Sequence, residues 1–282
     1  MSSALSARSV EVPDAAAPEY PAPTLVTKLQ DPKLTEVSGL AASRRYPGLF
    51  YTHNDSGDTA RVFLVNGKGE TVAVISLKGA YARDWEDIAL AGREVYVGDI
   101  GDNLANRDAV QIYRFAEPDL DPRKLNQTVE VKPQVSAFRY PGAARDAETL
   151  LASPQGRIWI LSKESGGSSF FSQVFKAGKT KNLQRAGEKI HFGAFGIFTK
   201  LATGGDFSPD GMKLVVTTYA QTYEWKLSTP FTISNLASLT PVIRDLPGLR
   251  QCESACYSLD GKQFFVSSEG KNAPLWKFDS AF

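Results

Sequence analysis

Cysteine and histidine are scarce in this 282-residue chain, with two of each. Cys252 and Cys256 stand four apart in an expected strand, which at ~3.3 Å per residue puts them roughly 13 Å apart on one face. That exceeds the ~7 Å Cα limit for a disulfide, and it is too far for a shared zinc ion, so both read as small buried residues. An excess of either charge is also missing: 32 Lys and Arg face 31 Asp and Glu, a net +1. That balance points to neither nucleic acid nor a membrane surface as partner. No apolar run approaches the ~18–20 residues needed to span a bilayer. No Ser-His-Asp order, Walker loop, Rossmann fingerprint or zinc signature occurs. Residues 1–23, rich in Ala, Ser and Pro, lack the apolar middle of a signal peptide and read as a flexible leader. Residues 24–282, in a chain that is 42% hydrophobic, read as one domain and one monomer.

What is present is a repeat. Arg83-Asp84-Trp85-Glu86 returns as Arg145-Asp146-Ala147-Glu148 and as Arg250-Gln251-Cys252-Glu253, each followed by a strand-like run, a turn and a second apolar run. Counting back five residues from Ser258, Ser208 and Ser43, which open or precede the equivalent turns, lands on Glu253, Thr203 and Ser38. The equivalent positions are therefore Ser38, Glu86, Glu148, Thr203 and Glu253, and all five carry oxygen. A unit of about 40–60 residues has room for four strands, which predicts an all-β fold, a five-bladed β-propeller of four-stranded blades.

The blades follow in order. Blade one takes Val37–Ala42, Leu49–His53, Arg61–Val65 and Thr71–Leu77. Blade two takes Asp87–Ala91, Glu94–Asp99, Gln111–Phe115 and a strand within Val129–Tyr140, after a surface excursion at Glu117–Gln127. Blade three takes Thr149–Ala152, Ile158–Lys163, Ser172–Lys176 and a strand near Leu183–Ile190. Blade four takes Asp206–Phe207, Lys213–Thr218, Thr222–Trp225 and a strand near Pro241–Arg244, with a short helix near Ser234–Leu239. Blade five has only Ser254–Tyr257, Gln263–Ser268 and Leu275–Phe278, so the strand at Thr24–Gln30 is expected to complete it and close the ring.

That topology points the five oxygen-bearing side chains at the channel axis and gathers the loops after the second strands around the same mouth. Three carboxylates in one place force a proton on or demand a cation. A hard cation with six to eight oxygen ligands describes Ca2+, with Ser38, Glu86, Glu148, Thr203 and Glu253 as metal ligands. Alternatively, the glutamates bond backbone amides of neighbouring blades. Three residues earlier stand Arg83, Arg145, Lys200 and Arg250, cations suited to a small anionic substrate or to pairing with Asp84, Asp146 and the rim acids. His53, Asp55 and Asp99 follow second strands and are the candidate proton carriers. Phe192, Phe195 and Phe198 either pack under their loop or line a pocket wall.

The five-position set resembles the axial calcium set of the calcium-activated nucleotidases (the apyrase type), which place serine, glutamate, glutamate, serine and glutamate in the same blade order. The segment from Trp85-Glu86 to Gly101 is similar to that family's corresponding strand and turn. Glu253-Ser254-Ala255-Cys256-Tyr257-Ser258 is similar to its Glu-Ser-Ala-Cys-Trp-Ser phrase, which belongs to the family's third blade. The resemblance implies a five-bladed propeller with axial calcium. The family's nucleotide-contacting segments have no match here, so nucleotidase activity is not implied. As a whole the chain resembles uncharacterised, often exported, actinobacterial WD40-like propeller proteins, which implies secretion although residues 1–23 hold no signal peptide. The expected function is a calcium-dependent hydrolase or lyase for a small anionic or carbonyl substrate. The alternative is a ligand- or partner-binding propeller with structural calcium.

Overall fold

The computed structural model describes residues 20–193, 196–249 and 251–282. They form five sheets arranged as a five-bladed β-propeller, with two single-turn 3-10 segments as the described helical elements. Five apolar clusters separate the sheets, one between each pair of neighbours. The first joins blades one and two through residues such as Leu64, Trp85 and Val97. The others follow around the ring, ending with Phe63, Cys256 and Leu275 between blades five and one. Alternation along each strand therefore serves two cores at once, which explains inner strands that are buried along their whole length.

The ring closes as expected. Thr24–Lys28 pairs antiparallel with Pro274–Asp279 and completes the fifth blade. A second lock lies at the chain's other end. Fully buried Glu224 accepts from Arg244 Nη2 at 2.9 Å, Tyr257 Oη at 3.0 Å, Ser280 Oγ at 2.6 Å and the Ala281 amide at 2.9 Å.

Two blades differ from the four-stranded expectation. Gln127–Val131 begins at the end of the expected surface excursion and runs into the range expected for the fourth strand of blade two, but it adds in parallel to Thr71–Leu77 of blade one. The fourth strand of blade two is Gln134–Arg139, and Thr180–Asn182 of the next blade adds in parallel to that one. Blades two and three thus each lend the preceding blade a strand from the connection between their own third and fourth strands, covering an edge that would otherwise be free. The third strand of blade three runs Ser168–Val174, starting earlier than expected, and the helix near Ser234–Leu239 is a 3-10 turn at Leu236–Ser238.

Every inner strand carries a β-bulge at the same place, and this feature positions the site. The pairs Val37↔Asn54, Trp85↔Asp99, Ala147↔Ser162, Ala202↔Thr218 and Cys252↔Ser268 are equivalent. The residue after each first member is Ser38, Glu86, Glu148, Thr203 or Glu253, and the register shifts there or one residue on. A bulge re-aims a side chain and reverses the alternation beyond it. The reversal separates the two cysteines: both are free and buried, but Cys252 belongs to the core between blades four and five and Cys256 to that between five and one.

Candidate metal centre at the channel mouth

The two axial hydroxyls stitch neighbouring inner strands together. Ser38 Oγ donates to the Glu86 carbonyl at 2.5 Å, and Thr203 Oγ1 to the Cys252 carbonyl at 2.6 Å. Each gives its proton away, which leaves lone pairs on its oxygen as ligands for a cation.

The three axial glutamates are buried, at 3%, 6% and 5% exposure for Glu86, Glu148 and Glu253. Burial raises the pKa of all three, and Glu148 raises those of Glu86 and Glu253 further. Glu253 also shares a hydrogen bond with Glu269, a pairing that raises it further. Glu148 is opposed by Lys163, whose Nζ pairs with Glu148 Oε1. Its second oxygen, Oε2, is buried without a partner.

Among the described residues, the carboxylates that lie close enough to share one ion are Asp55, Asp84 and Glu86, whose nearest oxygens are all within 4.8 Å of one another. Asp55 was expected at the mouth, and burial, then Asp84 and Glu269, push it up to about 6. Asp84 was read only as an ion-pair partner, yet it joins this trio. Asp146 also lies within electrostatic reach of Glu86 and Glu148. The signal was in the repeat: Asp84 and Asp146 stand two residues before a glutamate, and a two-residue offset shares a strand face whereas three does not.

The remaining candidates disperse. His53 lies below the rim and is fully buried, with Nδ1 donating to the Asn54 carbonyl at 2.8 Å and the ring edge-on to Trp85. Burial lowers its pKa to about 4 against the Asn54 hydrogen bond, so it is uncharged and enclosed at neutral pH. Asp99 is buried in an ion pair with Arg107 at 2.8 Å. Arg145 pairs with Glu164 and lies over the Phe171 ring. Arg83 is exposed, Lys200 is half-buried, and Arg250 and Phe195 lie outside the described residues. Phe192 packs against Tyr223 and Trp225, whereas Phe198 is 60% exposed and edge-on to Tyr219.

The state of His53 can be checked by following its ring resonances in an NMR titration. No protonation should be seen near pH 6, with a midpoint near 4. A depressed histidine pKa contributes stability that is complete above the ordinary value of 6.5 and lost as pH falls through the folded one. The loss over that window is about 3 kcal/mol. A midpoint at 6 or above would place the ring in solvent.

No family model matches the chain, and no curated protein does. Among solved structures, a gluconolactonase from Xanthomonas campestris is similar in fold, with a TM-score of 0.48 and 12% identity over 91% of this chain and 88% of that one. The resemblance to the calcium-activated nucleotidases rests on the inner-strand residues alone.

Proposed function

We propose that this propeller binds a calcium ion at its acidic mouth and works there as a hydrolase or lyase on a small anionic or carbonyl substrate. The observation that carries the reading is the carboxylate trio Asp55, Asp84 and Glu86 beside a buried, unpartnered Glu148 Oε2. A donor set of oxygens alone suits a hard cation, and the number and spread of these oxygens suit calcium better than magnesium. Glu86, Asp55 and Asp84 would hold the ion, with Ser38, Glu148, Thr203 and Glu253 completing the ring. When bound, the ion supplies Lewis acidity at a substrate oxygen. Enclosed His53 and ion-paired Asp99 are poorly placed to carry a proton there. Exposed Arg83 and half-buried Lys200 draw an anion toward the opening.

Turnover of phosphate esters, lactones and glycosides with increasing calcium tests this reading. One of these classes should respond to calcium, and Glu86→Gln should abolish the response. The engagement of Ser38 and Thr203 in bonds between blades favours a second reading, in which the ion is structural and the mouth only binds. Calcium that stabilises the protein with no substrate turned over would select it.

A further inference from the structure

We infer that the mouth contains a built subsite for a ring-bearing carboxylate, with Lys163 as its cation and Tyr219 and Phe198 as its wall; this rests on the calcium reading above. Lys163 is an unexpected cation among the acids. Its side chain is 14% exposed, its Nζ is paired with Glu148 Oε1, and Nζ lies 5.4 Å from the centre of the Tyr219 ring. An ammonium has three donors. Glu148 and Tyr219 engage two, and no third acceptor occurs among the described residues.

Beside this charge stands an exposed aromatic surface. Phe198 lies at 60% exposure in the 3-10 turn Ile197–Thr199, its ring 5.9 Å from that of Tyr219 and inclined at 72°. An exposed phenylalanine leaning on a tyrosine that touches a half-buried lysine is a surface for a ligand with a flat or apolar ring next to its charge. A ring without a charge would leave the ammonium's remaining donor unmet, and a small anion without a ring would leave the wall bare.

The same arrangement makes the subsite conditional on the metal. Asp55, Asp84, Glu86, Asp146, Glu148 and Glu253 crowd the mouth, and without a cation their field repels any carboxylate. Glu148 links the two functions, since one oxygen holds Lys163 and the other is unpartnered. Calcium and the organic anion should therefore bind with positive coupling, each raising the affinity for the other by the same factor.

Benzoate and acetate are the probes, read by isothermal calorimetry and saturation-transfer NMR on the full chain with and without calcium. Benzoate should bind more tightly than acetate in the presence of calcium and by at least 10-fold less without it. Phe198→Ala changes an exposed side chain and should reduce the preference for benzoate over acetate by about 3–10-fold, with calcium binding unchanged. Lys163→Gln should weaken both anions by about 10–100-fold while calcium binds as well or better, because Glu148 is freed; a merely misfolded variant would lose both. If calcium raises the melting temperature but benzoate behaves as acetate does, the subsite is overturned and the calcium reading stands. If calcium has no effect, the calcium reading fails. The subsite, which needs the cation to offset the mouth acids, then fails with it.

Discussion

Saturating calcium is expected to raise the unfolding temperature at pH 7.5 by about 5–10 °C, and Glu86→Gln to abolish that rise while making the metal-free protein more stable. The size follows from mass action. Ligand at a hundred times its dissociation constant adds about 2.7 kcal/mol, and a chain of this length gains about 2–4 °C per kcal/mol. The opposite sign in the metal-free variant follows from the site's own repulsion. Glu86 is buried among Glu148, Asp55, Asp84 and Asp146, and its pKa is raised well above the ordinary 4.5 by burial first and by those acids next. Such a carboxyl contributes stability that is complete below the ordinary value and lost as pH rises toward the folded one. Metal-free protein should thus weaken from pH 5 to pH 8, and the calcium-induced rise should grow over the same interval. Glutamine keeps the shape and removes the charge. Scanning calorimetry of both proteins at several pH values decides the matter; a Glu86→Gln protein that keeps its calcium shift would place the ion elsewhere.

Arg107→Met should cost about 3–5 kcal/mol, the second large effect. Arg107 and Asp99 are 4% and 3% exposed at the side chain, and their ion pair at 2.8 Å is backed by a bond from Arg107 Nη1 to the Gly101 carbonyl at 2.7 Å. Removing the guanidinium strands a buried carboxylate close to Asp84, whose own pKa is already raised by burial and by Asp146. Adding Asp99→Asn should recover part of the loss, because a neutral amide is cheaper to bury than an unpaired charge. Urea unfolding of the single and double variants measures both effects. A cost below about 1 kcal/mol would mean that the pair is exchanging with water. It would also restore Asp99 as a candidate for chemistry, since Asp99→Asn would then act on turnover and leave stability alone.

The placement of Asp84 shows where sequence reading succeeds and where it stops. Aligning the repeat located the axial residues, because a bulge at one register recurs in every blade. Reading the offset of three toward the arginines led away from the offset of two, where Asp84 and Asp146 share the face of the glutamates. His53 illustrates another limit. It was read as following a second strand, but it lies within Leu49–Asn54, where Gly39 has no side chain and leaves space in which the imidazole packs against the next blade. Nothing local to residue 53 records that space. Lys163 likewise carries no motif, and its importance comes from one oxygen of Glu148 and one aromatic ring contributed by a different blade.

By itself the sequence determined the repeat, the blade number, the closing strand and the equivalence of the five inner-strand positions, since alternation, turn residues and repeat spacing are properties of neighbouring residues. Only the tertiary structure decided which acids converge, which cations are spent on structural pairs, and which strands are lent from blade to blade. Those outcomes depend on contacts between segments far apart in the chain, where burial and field are set jointly by several blades and by no single stretch of residues.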